Sequence, residues 1–203
     1  MAFLPEFDEP KIVWIEISDR ANYAYDESGM FLTNSAYFMT GKHLKYILAV
    51  LNSKVADYYF FQITATIAGG RKRYTGQYVE RVHVPQIPEQ DEEPFNKVVD
   101  YILFLKAIEV NQEARQAYNY FESILEAMVY ELYFKDAVRE SGYEIIKHVK
   151  KLPNLKSGKQ SLEQLLGIYN ETSDKNNPIR NAVFFINTIP VVKEIEDSFS
   201  KSK

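Results

Sequence analysis

The sequence has no cysteine among its 203 residues and only three histidines. The lack of cysteine excludes disulfide bonds and thiolate metal sites, and it fits the reducing cytoplasm in which we expect the protein to reside. No stretch reaches the roughly 18 apolar residues that a membrane-spanning helix requires, and residues 1–9 lack the apolar run of a secretory signal. We therefore expect neither a membrane partner nor a signal peptide.

Motifs of catalytic and metal-binding sites are also missing. His43, His83 and His148 are far apart in the sequence, and none belongs to an HExxH or a two-histidine, one-carboxylate pattern. There is no GxSxG or GxGxxG motif, and Lys72 lacks the following Ser or Thr of a phosphate-binding P-loop. We therefore expect no catalytic residue and no metal ion in this chain.

Charge is distributed unevenly along the chain. The net charge of −4 argues against a nucleic-acid binder. Residues 41–84, however, carry seven Lys and Arg against two acids, a local charge of +5. Residues 85–140 carry five basic side chains against twelve acidic ones, a local charge of −7. Because a basic stretch attracts phosphates locally, binding to nucleic acid by the first half stays open.

The first ninety residues have the patterns of both strands and helices. Residues 11–18 and 35–40 predict strands, and Asp26-Glu-Ser-Gly29 predicts a hairpin turn between residues 22–25 and 30–33. Apolar residues from Leu44 to Tyr59 recur at helical spacing, with Ser53 as the expected cap of a second helix. Paired glycines predict a loop over residues 69–73, and residues 78–84 predict a returning strand.

The second half has helical periodicity throughout. An acidic linker is expected over residues 89–94, followed by helices over 95–110, 113–134, 136–150, 161–169 with Ser161 as N-cap, and 178–199 with a break at Pro190. The predicted fold class is α+β: a recognition domain over residues 1–90, with a mixed β-sheet and packed helices, and an all-helical scaffold over residues 91–203.

A glycine-hinged basic loop is the main candidate for a binding site. Gly69 and Gly70 allow a close approach of the backbone to a ligand, and Arg71, Lys72 and Arg73 can pair with phosphates or with guanine. Tyr74 could stack on a base or contact a sugar, and Lys42 and Lys45 add charge near a helix start. The alternative is an ordinary solvated turn with ordinary surface charge.

Four sequence elements, taken in order, carry a resemblance to a known family. They are Lys11-Ile-Val-Trp-Ile-Glu-Ile-Ser, Leu32-Thr-Asn-Ser, the segment from Leu44 to Lys54 that ends in Leu-Asn-Ser-Lys, and Val84-Pro-Gln-Ile-Pro88. Together with the segment from Met128 to Phe134, they resemble the TaqI-like C-terminal specificity domain. This domain occurs in type II (IIG-like) restriction–modification enzymes and N6-adenine DNA methyltransferases.

The resemblance implies a function and partners. Such domains select a sequence in double-stranded DNA, while separate domains of a parent restriction endonuclease or methyltransferase cleave or methylate in bacterial defence. It implies that the loop from Gly69 to Tyr74 lies at the DNA, and it adds Asn34 to the candidates. S-adenosylmethionine and Mg²⁺ are expected only in the catalytic domains, which this chain, taken as part of a longer protein, lacks.

A different class of function stays open beside this one. The helical half has long aromatic faces and acidic surfaces, which would also suit a protein-interaction or scaffold module of a multi-subunit assembly. A salt titration of binding distinguishes the two functions, because the affinity for DNA falls steeply as the salt concentration rises.

Overall fold

The computed structural model describes residues 4–64, 66–108, 111–156, 158 and 160–200. The chain divides into two compact units, Met1–Gln86 and Ile87–Lys203, which we call the N-terminal unit and the C-terminal unit. Residue 90, where we expected the boundary, lies in the first turn of a helix. Acidic side chains at residues 89–92 stabilise that turn because they face the positive end of the helix dipole.

The N-terminal unit contains two small antiparallel sheets. In the first, β1 lies between β3 and β4, and in the second β2 pairs with β5. Apolar and β-branched residues give β1 its strand character, and the chain bends at Glu16 before β2. The strands are β1 (Lys11–Ile15), β2 (Ile17–Ser18), β3 (Ala24–Asp26), β4 (Ala36–Thr40) and β5 (Lys72–Arg73). With the packed helices, they confirm the α+β class.

The expected hairpin around residues 26–29 is wrong. Strand β3 pairs with β1 instead of with residues 30–33, and β4 pairs with the other edge of β1. The Asp26 carboxylate explains the difference, because it accepts hydrogen bonds from the backbone N–H groups of Ser28 and Met30. These bonds close a side-chain turn and direct the chain away from β3.

Three helices complete the N-terminal unit: α1 (Leu44–Leu51), α2 (Lys54–Ile63) and α3 (Gly76–Val79). Ser53 caps α2 as predicted, since its Oγ accepts a hydrogen bond from the Ala56 N–H. The predicted strand over residues 78–84 is wrong, because the chain forms α3 and a following turn there. Val79 and Val82 are buried at the three-residue spacing of a helical turn.

The C-terminal unit is helical, as predicted, and its core is built around one long helix, α5. The buried side chains of α5 recur every three or four residues from Ala114 to Ala127, and from Ala127 to Tyr130 all sides of the helix are buried. The helices are α4 (Glu89–Ala107), α5 (Gln112–Tyr133), α6 (Lys135–Ser141), α7 (Ile146–Val149), α8 (Gln160–Thr172), α9 (Pro178–Phe185) and α10 (Pro190–Ser200). No helix of the described residues is both long and apolar enough to cross a membrane.

Two features of the helical prediction need correction, and one is confirmed. The helix expected over residues 136–150 is split, because Gly142 adopts a φ of 76° that ends α6. Ser161 is not the cap of α8, since its hydroxyl donates to the backbone oxygens of Lys156 and Gly158. The break at Pro190 is confirmed, with a 3-10 turn between α9 and α10.

A buried ion pair holds the beginning of β1 to the end of β3. Lys11 is fully buried, and its Nζ lies 2.6 Å from Oδ2 of Asp26 and donates a second bond to the Phe7 oxygen. The hydrogen bond from Lys11 lowers the pKa of Asp26 to about 2. The charged carboxylate therefore stabilises the folded state.

We predict that Asp26→Asn removes part of the acid sensitivity of folding. Since the pKa of Asp26 is lower in the folded state, its stabilisation is complete above about pH 4 and is lost as the pH falls toward 2. The depression contributes about 2 kcal/mol to the free energy of unfolding. Urea unfolding from pH 5 to pH 2 measures the loss. An identical pH dependence in wild type and variant would contradict the prediction.

Candidate nucleic-acid interface

Side chains alternate between surface and interior along the basic segment that the sequence predicted as a loop. Arg71 and Arg73 are exposed, whereas Lys72 and Tyr74 are buried. The reason is that Lys72 and Arg73 form strand β5, with Arg73 opposite Ile17, and successive side chains of a strand point to opposite faces. The three cations therefore do not share one face.

Lys72 is directed into the N-terminal unit. Its Nζ donates a 2.6 Å hydrogen bond to Thr66 Oγ1 and lies 4.9 Å from the centre of the Phe61 ring. These contacts give the ammonium one hydrogen-bond acceptor and one aromatic neighbour within the protein. Lys72 thus joins β5 to the end of α2 and the residues that follow it, which is a different role from the phosphate contact expected from the sequence.

Tyr74 lies in the core instead of on the surface. Only 2% of it is exposed, and its ring stacks on Phe60 with 4.2 Å between centroids. Its hydroxyl donates a 2.8 Å hydrogen bond to Asp57 Oδ1, and burial and this carboxylate together raise the pKa of Tyr74. The expected stacking on a base or contact with a sugar does not fit this burial. The alternation of β5 continues through Tyr74 and explains it.

Asp57 is a buried residue that the sequence analysis missed. Besides the Tyr74 hydroxyl, it accepts the backbone N–H of Ala21 at 3.1 and 3.0 Å, and burial raises its pKa. One signal was available: Asp57 occurs between Ala56 and Phe60, on the apolar face of α2. An acid at such a position indicates a buried partner.

The two glycines form an exposed turn directly before the arginines. Gly69 and Gly70 have φ values of 81° and 78°, and the Gly70 N–H donates to the Ile67 oxygen. These φ values favour glycine, and the positions are open, with nothing within 4 Å of a Cβ added at Gly70. The two glycines therefore form the turn that ends the connection from α2, and exposed Arg71 follows directly after it.

Arg73 and Asn34 both lie near Glu16, where β1 ends and β2 begins. Arg73, 51% exposed at its side chain, lies 3.4 Å from the Glu16 carboxylate. The Glu16 N–H donates to the oxygen of Ser35, in the turn that contains exposed Asn34. We call the group of Asn34, Gly69, Gly70, Arg71 and Arg73 the arginine end.

Lys42 and Lys45 lie at the other end of β1. Thr40, which precedes Gly41 and Lys42, pairs with Lys11, whereas Arg73 pairs with Ile17. Lys11 and Ile17 are six residues apart along the chain, with a bend at Glu16 between them, so these two pairs are at most about 20 Å apart. Lys42 is exposed, and the Nζ of Lys45 lies 5.7 Å from the centre of the Tyr25 ring. The structure therefore divides the predicted site into an arginine end and a lysine end, Lys42 with Lys45.

Metal ligands are not assembled in the part of the chain that the structure describes. No group of three or more histidine, aspartate or glutamate side chains there could hold a metal ion. The candidate interface thus consists of basic and amide side chains, which can form hydrogen bonds with DNA phosphates and base edges.

Comparison with known proteins supports the resemblance found in the sequence. Residues 5–84 match the TaqI-like C-terminal specificity domain. Both ends of the candidate interface lie inside the matched segment, whereas residues 85–134, which the resemblance also included, lie outside it. A 78-residue stretch of the chain is 32% identical to the type II methyltransferase M.XhoI of Xanthomonas vasicola. It makes up 37% of this chain and only 14% of that methyltransferase.

We predict that Tyr74 of the N-terminal unit acts through the stability of the fold. Tyr74→Phe removes a hydrogen bond to a buried carboxylate, so the free energy of unfolding should fall by about 2 kcal/mol. Urea unfolding measures this change. The control is Tyr59→Phe. Tyr59 lies on the solvent-facing side of α2 and is 42% exposed, so this substitution should leave the free energy of unfolding unchanged. Wild-type stability of Tyr74→Phe would show that the bond to Asp57 does not stabilise the fold.

Proposed function

We propose that the N-terminal unit recognises a specific sequence in double-stranded DNA, as the target-recognition domain of a restriction–modification enzyme. The main support is the match of residues 5–84 to a specificity domain. Two exposed arginines, Arg71 just before β5 and Arg73 on β5, add the chemistry that such a function needs. Arginine can bind guanine O6 and N7 with two parallel hydrogen bonds in the major groove.

The two ends of the interface would make different contributions to DNA binding, one to specificity and the other to affinity. At the arginine end, Glu16 restrains the Arg73 guanidinium, which favours a fixed geometry toward a base edge. At the lysine end, the exposed Lys42 would bind phosphates and supply affinity that does not depend on sequence.

Catalysis would belong to other parts of a parent enzyme. We assign no catalytic residue to this chain, and the named relative, a type II methyltransferase, is far longer than the stretch it shares. Methylation, cleavage or both would be performed by domains that hold S-adenosylmethionine and Mg²⁺, in cis or as a partner subunit. The acidic C-terminal unit would serve as their scaffold in the cytoplasm.

A second candidate function rests on exposed aromatic residues of the C-terminal unit. Phe184 and Phe185, at the end of α9, are 62% and 39% exposed, and Tyr143 stacks on Phe185. Arg180 lies 5.2 Å from the Phe184 ring. An aromatic surface with one cation would suit a protein partner, so the unit could act as an interaction module.

We predict that DNA binding depends on the exposed arginines and not on the buried lysine. The double substitution Arg71→Ala, Arg73→Ala should weaken binding to duplexes selected by the wild type and lower the salt slope by about 1 to 2. Lys72→Met should leave the slope unchanged, since its ammonium is bound inside. Fluorescence anisotropy from 50 to 200 mM salt measures both effects.

Arg115→Ala is the matched control, because Arg115 is an exposed arginine on α5 of the C-terminal unit. It should bind DNA with wild-type affinity and slope. Wild-type affinity of the double variant would remove the arginine end from the proposal. Failure of the wild type to bind any duplex at low salt would favour the interaction module instead.

A further inference from the structure

Glu16 and Arg73 lie together at the surface of the N-terminal unit. Oε1 of Glu16 lies 3.4 Å from Nη1 of Arg73. The side chain of Arg73 is 51% exposed and that of Glu16 is 26% exposed, so a ligand can reach both. The contact therefore places a carboxylate, which only accepts hydrogen bonds, directly beside a guanidinium, which only donates them.

The backbone of Glu16 is fixed on both sides before any ligand binds. Its N–H donates to the Ser35 oxygen at 3.0 Å, and its oxygen accepts the N–H of Tyr74 at 2.6 Å. Tyr74 follows Arg73 directly and is buried, so the backbone that carries Arg73 is held by the same bond. The two side chains thus start from positions that the fold has already set, which favours a specific contact.

Arg71 differs from Arg73 in its charge environment. Among the described residues, a carboxylate forms an ion pair with Arg73, and none does so with exposed Arg71. A carboxylate at 3.4 Å weakens the attraction of a guanidinium for a phosphate, because the two charges offset each other. Arg73 is therefore better suited to a base edge and Arg71 to the phosphate backbone.

The paired side chains match the major-groove edge of a G·C base pair. That edge offers the N7 and O6 acceptors of guanine and then the N4 amino group of cytosine as a donor. The guanidinium fork of Arg73 can donate to the first two, and the carboxylate of Glu16 can accept from the third. An A·T pair places the adenine amino donor where the guanidinium needs an acceptor, so it does not fit.

We propose that Arg73 and Glu16 together read one G·C base pair in the major groove, with Arg73 at guanine N7 and O6 and Glu16 at cytosine N4, while Arg71 binds a neighbouring phosphate. The inference rests on the proposed DNA recognition and names residues that determine its specificity. It gives Glu16 a contact of its own with DNA, in addition to the restraint of Arg73.

The first test is selection of preferred sites from a randomised duplex library by the full chain. The wild type should require a G·C pair at one position. Arg73→Ala should lose the guanine preference there, roughly 5- to 150-fold, and keep a weaker preference for a base with an exocyclic amino group on the strand that Glu16 contacts. Glu16→Ala should still prefer guanine, with weaker discrimination. Glu27→Ala, which changes an exposed glutamate after β3, is the matched control and should select the wild-type site.

The second test changes the DNA instead of the protein. The selected duplex is made with 7-deazaguanine at that position, which lacks the N7 acceptor and still pairs with cytosine. Fluorescence anisotropy should show binding weakened roughly 5-fold or more for the wild type and unchanged for Arg73→Ala. Arg71→Ala should weaken binding to all duplexes alike and lower the salt slope by about 1.

The outcomes separate this inference from the function it rests on. If the wild type selects a site but 7-deazaguanine leaves its affinity unchanged, the assignment of Arg73 is wrong and DNA recognition stands. If Arg73→Ala keeps no base preference at that position, Glu16 only positions Arg73 and its contact with cytosine is wrong. If the wild type enriches no sequence, the proposed function fails and the inference fails with it. Urea unfolding of each variant shows whether a lost preference is due to misfolding.

Discussion

The N-terminal unit depends on one buried carboxylate. Asp57 reaches from α2 to the backbone of Ala21 after β2 and to the hydroxyl of Tyr74 after β5. A buried charge is costly unless it is fully hydrogen-bonded, so each of the three segments holds the other two in place. The indole of Trp14 extends this arrangement to β1, because its N–H donates to the Tyr74 oxygen at 2.7 Å. The position of β5, and with it the arginine end, is therefore set from inside the unit.

The same arrangement explains how four consecutive residues serve two purposes. A strand sends alternate side chains to opposite faces, so a core tyrosine at position 74 and a core lysine at position 72 require surface arginines at 71 and 73. The interior residues anchor the segment through Asp57 and Thr66, and the exposed ones remain available to a ligand. A rigid anchor of this kind would favour the proposed recognition of DNA, because less conformational entropy is lost when a ligand binds to a fixed surface.

Local patterns predicted most of the elements, and nonlocal pairing explains the errors. Strand β1, helices α1 and α2 and the Ser53 cap depend on nearby residues, and the sequence was sufficient for them. The hairpin was wrong because the strand that pairs with β3 is β1, whose Lys11 lies opposite Asp26 although the two residues are fifteen positions apart in the sequence. The buried positions of Lys72 and Tyr74 were missed because β5 has only two residues, which are too few to show the alternation of a strand in the sequence.

The sequence predicted which residues of the candidate site are exposed better than it predicted where they lie relative to one another. Arg71, Arg73 and Lys42 are exposed as expected, but the pairing of β1 with β4 puts Lys42 at the far end of the sheet.

A negative total charge is compatible with DNA binding when the acids are turned away from the ligand. Beside the arginines, Asp57 is buried against hydrogen-bond donors, and Glu16 is close enough to Arg73 to offset its own charge. Lys11 likewise neutralises Asp26 inside the sheet. Electrostatic attraction falls off within about 8 to 10 Å in physiological salt, so a phosphate responds to these nearby groups. The twelve acids of residues 85–140 contribute much of the negative charge of the sequence, whereas within the N-terminal unit the carboxylates of Asp57, Glu16 and Asp26 each lie against hydrogen-bond donors or a cation.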